Sequence, residues 1–128
     1  MNLDQDVECL STEIKACQKI LTAIGDETRQ HIILVMMQTK GCFGLRVNDI
    51  AENTNLSRPA VSHHLQILKK AGIIKMRREA TKNYYYFDAD MESFDHLIQM
   101  LNHAKDIMMK LPDRQTIMNK RSFSRKQS

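Results

Sequence analysis

Polar side chains of types that can read base-pair edges recur at helical spacing within NLSRPAVSHHLQILKKAGIIKMRR, residues 55–78. If the apolar positions Val61, Leu65 and Leu68 face a core, helical geometry turns the polar positions outward. The outward residues are Arg58, Ser62, His63 and Gln66. Arginine can pair with guanine and glutamine with adenine in the major groove, while serine and histidine can bind base or phosphate. This face therefore predicts contact with double-stranded DNA.

Basic residues surround that face. Residues 57–86 contain seven lysines and arginines against Glu79 alone, a local charge of +6 in a chain whose net charge is +4. Such a block suits phosphate binding, although a charge run is more commonly a solvated surface. The predicted DNA-binding set is completed by Ser57, Lys69, Lys70, Arg77, Arg78 and Lys82. Lys69 and Lys70 are expected near the DNA backbone. Arg77, Arg78 and Lys82 are expected near phosphates or the adjacent minor groove.

The helices that position these residues are predicted from apolar periodicity and capping residues. A first helix is expected over about residues 4–24, and a second begins after the N-cap Asp26 and buries the run 32–37. VNDIAENT predicts a short third helix, and Ser57 caps a fourth that ends at Gly72. A final helix is predicted over about residues 90–111, with Pro112 ending it, and the first and final helices each carry an apolar stripe.

A β-hairpin is predicted after the fourth helix. It consists of Ile73, Ile74 and Met76 in one strand, Tyr84–Phe87 in the other and Glu79–Asn83 at the tip, with a short extra strand beginning near Leu45. Two short helices joined by a tight turn and followed by a hairpin make a winged helix-turn-helix, a mainly α fold. We predict one domain over residues 1–112 and a basic, disordered tail over residues 113–128.

Chain length, apolar runs and cysteines exclude several classes. No apolar run approaches the roughly 20 residues of a membrane span, and the acidic N-terminal segment does not resemble a secretion signal. The three cysteines, Cys9, Cys17 and Cys42, lack C-x-x-C spacing, which disfavours a disulfide framework or a zinc finger and predicts a cytoplasmic protein. Cys9 and Cys17 lie eight residues apart on one predicted helix, and we interpret them as core residues rather than redox partners.

Three stretches of the chain carry a family resemblance. They are IGDETR (24–29), VNDIAENTNLSRPAVSHHLQILKKAGII (47–74) and REATKNYYYFD (78–88). These stretches resemble the Gly-Asp-Pro-Thr-Arg segment, the helix-turn-helix and the wing of the ArsR/SmtB family of bacterial repressors, with Glu27 where proline is usual and Lys82 where glycine is common. The resemblance implies five helices, with a short strand after the second and the hairpin before the last. It also implies a homodimer formed through the first and last helices, and repression of a nearby operon that an effector releases.

The resemblance leaves the effector open. Family members that bind soft metals carry C-V-C in the third helix, but Arg46 and Asn48 occupy those positions here. Others bind zinc between the paired last helices of the dimer through D-x-H-x10-H-x-x-E, and a substituted form of that spacing occurs at Asp90, Glu92, His103 and Asp106. Carboxylates and an imidazole can hold a divalent ion, but a polar helix face also produces such spacings by chance. No cofactor is assigned, and the effector could be a metal, a small molecule, a redox signal or none.

Two other functional classes compete with DNA binding. For an enzyme, His63 and His64 are the obvious pair, but adjacent helical residues point about 100° apart and cannot act on one atom. The sequence also lacks a Gly-rich phosphate loop and an H-E-x-x-H motif. A protein-binding winged helix would carry apolar residues where this chain has its outward polar set. The residues therefore predict a DNA-binding transcriptional regulator, which the family resemblance implies is a repressor, with a protein-interaction module as the alternative and no catalytic activity.

Overall fold

The computed structural model describes residues 2–39 and 44–111, which form six helices and a two-stranded hairpin. The elements are α1 Leu3–Ala16, α2 Gln18–Ile24, α3 Glu27–Gln38, α4 Val47–Thr54, α5 Arg58–Lys70, β1 Ile74–Glu79, β2 Lys82–Phe87 and α6 Glu92–Lys110. Cys42, Pro112 and the predicted tail lie outside the described residues. Within the described ranges, no helix combines the length and apolar character that crossing a bilayer requires.

The N-terminal helix predicted over residues 4–24 is two helices. The break falls at Cys17, a buried residue with φ −95° and ψ 5°. Neither glycine nor proline lies at the break, so local conformational preference does not cause it. α1 packs against α6, whereas α2 packs against α5, α3 and α6. The two halves of the predicted helix share α6 as a partner, but α2 also packs against α5 and α3, and we attribute the break to this difference in packing.

The predicted start of α3 is confirmed, but the burial predicted for its apolar run is wrong in part. The Asp26 carboxylate accepts a hydrogen bond from the backbone N–H of Arg29 at 3.0 Å, as an N-cap does. Ile32, Val35 and Met36 are buried, whereas Leu34 and Met37 are exposed. A run of six apolar residues covers more than the full circumference of a helix, so part of it must face away from the core.

The turn between α4 and α5 has the predicted helix-turn-helix geometry. Asn55 adopts a left-handed conformation with φ 57°, which asparagine tolerates better than most residues. Ser57 Oγ then accepts a hydrogen bond from the N–H of Ala60 at 3.3 Å and caps α5. At the other end of α5, Gly72 has φ 79°, and its N–H donates to the carbonyl of Lys69. Glycine suits this C-terminal position because it has no Cβ to clash there.

The hairpin is longer than predicted and its tip is shorter. The strands pair from Ile74 opposite Phe87 to Glu79 opposite Lys82, which leaves a two-residue turn at Ala80 and Thr81. Glu79, Lys82 and Asn83, which the sequence assigned to the tip, therefore belong to the strands. The predicted extra strand is a single antiparallel bridge between Leu45 and Tyr85, with two backbone hydrogen bonds of 2.8 Å.

One apolar core joins the helices to the base of the hairpin. Its largest fully buried side chains are Ile32, Ile50, Val61, Leu65, Leu68, Ile73 and Ile74. α6 contributes Leu97 and Met100 to this core and turns Ile98 and Leu101 to solvent. The architecture is a mainly α winged helix-turn-helix in which α4 and α5 form the motif and β1–β2 the wing.

Candidate nucleic-acid interface

The polar face predicted for α5 lies on the surface of the molecule. Val61, Leu65 and Leu68 are fully buried, and this fixes the opposite side of the helix toward solvent. The predicted contact residues accordingly lie outside the core. Ser57, Arg58, His63 and Gln66 are exposed, and Ser62 is half-buried.

A groove of about 430 Å³ runs between the beginning of α5, the beginning of α4 and the tip of the wing. It is lined by Arg46, Val47, Asn48, Arg58, Pro59, Ser62, Thr81 and Asn83. Two predicted residues, Arg58 and Ser62, therefore meet hydrogen-bonding side chains from two other parts of the chain, the beginning of α4 and the tip of the wing. Sequence reasoning missed four of these partners, which are Arg46, Asn48, Thr81 and Asn83.

The predicted wing cations do not share one face. Side chains alternate along a strand, so Arg77 and Arg78 point to opposite sides of the hairpin. Arg78 is paired across the strands with Asn83, which lines the groove. Directly opposed residues share a face, so Arg78 lies on the groove side, where its Nε donates to the carbonyl of Ala80 at 3.2 Å.

Arg77 is occupied by partners on the other face of the wing. Its Nε lies 3.0 Å from Glu79 Oε1. Its guanidinium carbon also lies 5.1 Å from the ring centroid of Tyr84 and 5.7 Å from that of Tyr86. These distances are typical of cation–π contacts. Arg77 therefore has a structural role in the wing that its sequence position did not reveal.

Two ion pairs in the wing leave the unpaired cations of residues 57–86 on α5 and near the tip of the hairpin. Lys75 lies 3.3 Å from the carboxylate of Asp88, and Arg77 is paired with Glu79. These two ion pairs neutralise two of the seven cations in residues 57–86. The other five form no ion pair within the described part of the chain: Arg58, Lys69, Lys70, Arg78 and Lys82. Lys69 and Lys70 are exposed in the last turn of α5, about 18 Å along the helix from Arg58.

Arg29 is a buried support of the recognition helix that sequence reasoning missed. Its side chain donates to the carbonyls of Ala23 at 2.8 Å and Thr22 at 2.9 Å, and these carbonyls lie in the last turn of α2. Its Nη1 lies 3.2 Å from Nδ1 of His64 on α5. Because a guanidinium can only donate, His64 Nδ1 accepts, and the neutral ring carries its proton on Nε2. The only sequence signal was the resemblance of the IGDETR stretch.

Burial is the main reason that the pKa of His64 lies below its ordinary value. The nearby guanidinium of Arg29 lowers this pKa further, and the Asp26 carboxylate acts in the opposite direction. The pKa of Asp26 is itself lowered, chiefly because its carboxylate accepts the N–H of Arg29. The histidine beside this network, His63, is exposed. The adjacent pair thus divides into one packing residue, His64, and one surface residue, His63, whose outward position the sequence predicted.

The four residues of the substituted zinc pattern do not converge within one chain. Glu92 precedes His103 by eleven residues on α6, or about 16 Å along the helix axis. Asp90 precedes the helix, and its N–H donates to the carboxylate of Asp88. His103 instead places Nδ1 2.7 Å from Oε1 of Glu13 on α1. The prediction that Cys17 is a core residue is confirmed, and the same prediction for Cys9 is wrong because Cys9 is exposed.

Comparisons with known proteins match the helix-turn-helix region. The profile of the family described as "Bacterial regulatory protein, arsR family" matches residues 26–76. An uncharacterized HTH-type transcriptional regulator of Methanocaldococcus jannaschii is 40% identical over 72 residues, which cover 56% of this chain and 78% of that protein. The transcriptional repressor SdpR of Bacillus subtilis is 34% identical over 85 residues, which cover 65% of this chain and 90% of that protein.

A solved structure supports the same relationship. It is the homodimeric winged helix-turn-helix DNA-binding domain of a possible ArsR-family transcriptional regulator from Mycobacterium bovis, with a TM-score of 0.53 and 25% identity. The similarity covers 74% of this chain and 82% of that one. The predicted fold class and the predicted family are both confirmed. The chain belongs to the ArsR family of bacterial regulatory proteins, and it is a transcriptional regulator rather than an enzyme.

Proposed function

We propose that this protein is a sequence-specific repressor that binds double-stranded operator DNA as a homodimer. The observation that carries the proposal is the groove in which Arg58 and Ser62 of α5 face the polar residues of α4 and the wing. An α-helix with an exposed polar face fits the major groove, where base pairs are distinguishable. Repression rather than activation is supported by the similarity to SdpR, which is named a transcriptional repressor.

Each part of the surface receives a role from its position. Arg58, Ser62, His63 and Gln66 contact base edges, because they lie on the outward face of the first three turns of α5. Backbone contacts are assigned to Ser57, Lys69, Lys70 and Arg78. Lys82 stays in the predicted set at the tip of the wing, but it is paired across the strands with Glu79 and therefore shares the face of Arg77 rather than that of Arg78. Arg46, Asn48, Thr81 and Asn83 extend the contact surface across the groove. Arg77 stays in the predicted set, but its interactions with Glu79 and Tyr84 make a direct contact with DNA secondary to its support of the wing.

An exposed apolar surface on the terminal helices supports the homodimer. α1 packs against α6, and both helices leave large apolar side chains in solvent. These are Leu3 and Val7 on α1, with Ile98, Leu101, Met108 and Met109 on α6. Groups of exposed large apolar side chains can mark interaction sites on soluble proteins. The homodimeric M. bovis domain is similar over most of this chain, which supports a homodimer here.

The dimer requires a matching operator. Two copies related by a two-fold axis would place their α5 helices in successive major grooves, with half-sites about 34–36 Å apart. Residues 1–112 would form this DNA-binding and dimerising domain. Residues 113–128 would be a basic tail that adds salt-dependent affinity without reading sequence.

The test is fluorescence anisotropy of the full chain with DNA from upstream of its own gene and with a scrambled duplex, over a salt series. We expect the affinity for the native duplex to exceed that for the scrambled duplex by about 10³-fold or more, with a steep salt dependence. Equal and weak binding to both duplexes, and to a tiling set of neighbouring DNA, would contradict the proposal. That outcome would favour a winged helix that binds another protein.

A further inference from the structure

Three side chains of metal-ligand type meet where α1 packs against α6. Cys9 and Glu13 lie one helical turn apart on α1, and His103 reaches them from α6. The Cys9 Sγ atom lies 3.4 Å from Glu13 Oε1, and His103 Nδ1 lies 2.7 Å from the same oxygen. One ligand atom from each residue falls within 4.8 Å of the other two. Within residues 2–39 and 44–111, no other group of three such side chains converges this closely.

We propose that Cys9, Glu13 and His103 form a binding site for a thiophilic divalent cation of the zinc class. Thiolate, carboxylate and imidazole are all zinc ligands, and three protein ligands leave a fourth tetrahedral position for water. A thiolate and a carboxylate carry two negative charges, which balance those of a dication. The sulfur ligand selects against magnesium and calcium, which prefer oxygen.

The distances in the cluster are close to those of a tetrahedral centre. Zinc bonds of roughly 2.0–2.3 Å at tetrahedral angles place neighbouring ligand atoms about 3.3–3.6 Å apart. The separation between Cys9 and Glu13 already has this value. The ion would replace the hydrogen bond between His103 and Glu13, whose atoms need to move apart by less than about 1 Å. Because Cys9 and Glu13 lie on consecutive turns of one helix, two of the three ligands are held in place before the ion arrives.

The cluster is accessible to an ion from solution. Cys9 is exposed, and the side chains of Glu13 and His103 retain 28% and 24% of their exposure. The ligand set shares only His103 with the spacing pattern considered for α6, and it lies within one chain. An ion held here would link α1 to α6, the two helices assigned to the dimer. That consequence rests on the proposed function, whereas ion binding itself does not.

A cobalt titration of the purified full chain tests the site directly. Co²⁺ bound by a thiolate gives a near-ultraviolet charge-transfer band, and Zn²⁺ should displace it because zinc prefers tetrahedral sulfur–nitrogen sites. The expected result is one Co²⁺ per chain with a thiolate band. Cys9→Ser should abolish the band. Glu13→Gln and His103→Gln should weaken binding by at least the 10–100-fold that losing an outer-shell partner costs.

Two control variants separate this site from other ligands in the chain. His96→Gln removes an exposed histidine of α6 whose Nε2 lies 3.9 Å from Oε1 of Glu92. This change should leave the titration unchanged. Cys42→Ser removes the thiol outside the described residues and should also leave the band intact. Far-ultraviolet circular dichroism checks that each variant is folded. A wild type without a thiolate band, or a band that survives Cys9→Ser, would overturn the proposal. No DNA is present, so either result is independent of operator binding.

Discussion

Arg29 and His64 lie 35 residues apart in sequence, yet Nη1 of the first is 3.2 Å from Nδ1 of the second. The same buried guanidinium binds the last carbonyls of α2. One side chain thus joins the end of α2, the first turn of α3 and the middle of α5. His63, the neighbour of His64, lies on the surface that we assign to base contacts. The direction of that surface therefore depends on a contact made on the opposite side of the helix.

Replacing Arg29 should destabilise the whole domain. Arg29 is only 7% exposed, and Arg29→Met would leave the carbonyls of Thr22 and Ala23 and the ring of His64 without their donor. The expected loss in the free energy of unfolding is about 2–4 kcal/mol, measured by urea denaturation. Arg78→Met is the matched control, because Arg78 is exposed and its loss should change stability by less than about 0.5 kcal/mol. Equal effects of the two changes would contradict the assigned role of Arg29.

Stability should fall as the solution is acidified, and His64 should contribute to the fall. Burial lowers the pKa of His64 from its ordinary 6.5, so the unfolded chain takes up this proton more readily than the folded protein does. The stabilisation is therefore complete above about pH 6.5 and is lost as the pH decreases toward the lowered pKa.

The measurement is urea unfolding from about pH 7.5 to about pH 5.5, the range in which histidines titrate. His64→Gln removes the titrating group and keeps an oxygen that can accept from Arg29, so its stability should depend less on pH than that of the wild type. Identical slopes for the two proteins would show that His64 does not titrate differently on folding.

Arg58 and Lys69 should affect DNA binding in different ways. Arg58→Ala removes a base-edge contact and should cost about 1–3 kcal/mol of operator affinity while relaxing sequence preference. Lys69→Ala removes a backbone contact, so it should weaken binding to all duplexes similarly and reduce the salt slope by about one. Anisotropy with operator and scrambled DNA distinguishes the two patterns. An Arg58→Ala variant with unchanged discrimination would remove this residue from the specificity set.

The apolar face of α6 should be required for self-association. Leu101 is 52% exposed, and Leu101→Asp would place a charge in the proposed dimer interface. Sedimentation should show that this variant is a monomer. Its helical content, measured by circular dichroism, should be unchanged, and its operator binding, measured by anisotropy, should be weaker. Leu34→Asp provides the control, because Leu34 is 55% exposed on α3, away from the terminal helices, and its replacement should leave the association state intact. Dissociation by both variants, or by neither, would argue against this interface.

The two adjacent wing arginines should separate stability from DNA binding. Arg77→Ala loses the contacts to Glu79, Tyr84 and Tyr86 and should lower the free energy of unfolding by up to about 1 kcal/mol. Arg78→Ala loses a cation on the groove side and should reduce the salt slope of DNA binding by about one. The reverse assignment of effects would mean that the hairpin presents its other face to DNA.

Local rules predicted the parts of the fold that depend on neighbouring residues. Asp26 and Ser57 cap helices because a short polar side chain can reach N–H groups two or three positions ahead. Val61, Leu65 and Leu68 are buried because their spacing matches the helical period. The outward polar face of α5 followed from the same period. These features are local, so the amino-acid sequence alone was sufficient to predict them.

The tip of the hairpin shows where local patterns stop being informative. Glu79, Lys82 and Asn83 are polar and were assigned to a turn, yet pairing across the hairpin extends both strands through them. Polarity at the end of a strand reports exposure to solvent and not the end of backbone pairing. The sequence also could not show which of the two adjacent arginines, Arg77 or Arg78, lies on the groove side, because that depends on how the hairpin is placed beside α4 and α5.

By itself, the sequence determined the winged helix-turn-helix, its family and the residue types on the recognition face. Tertiary structure alone decided the break at Cys17, the groove beside Arg58, the support of His64 by Arg29 and the meeting of Cys9 with His103. The physical reason is the distance along the chain over which each kind of interaction acts. Capping and periodicity act over one or two helical turns, whereas these four features join segments whose relative placement depends on packing the whole core.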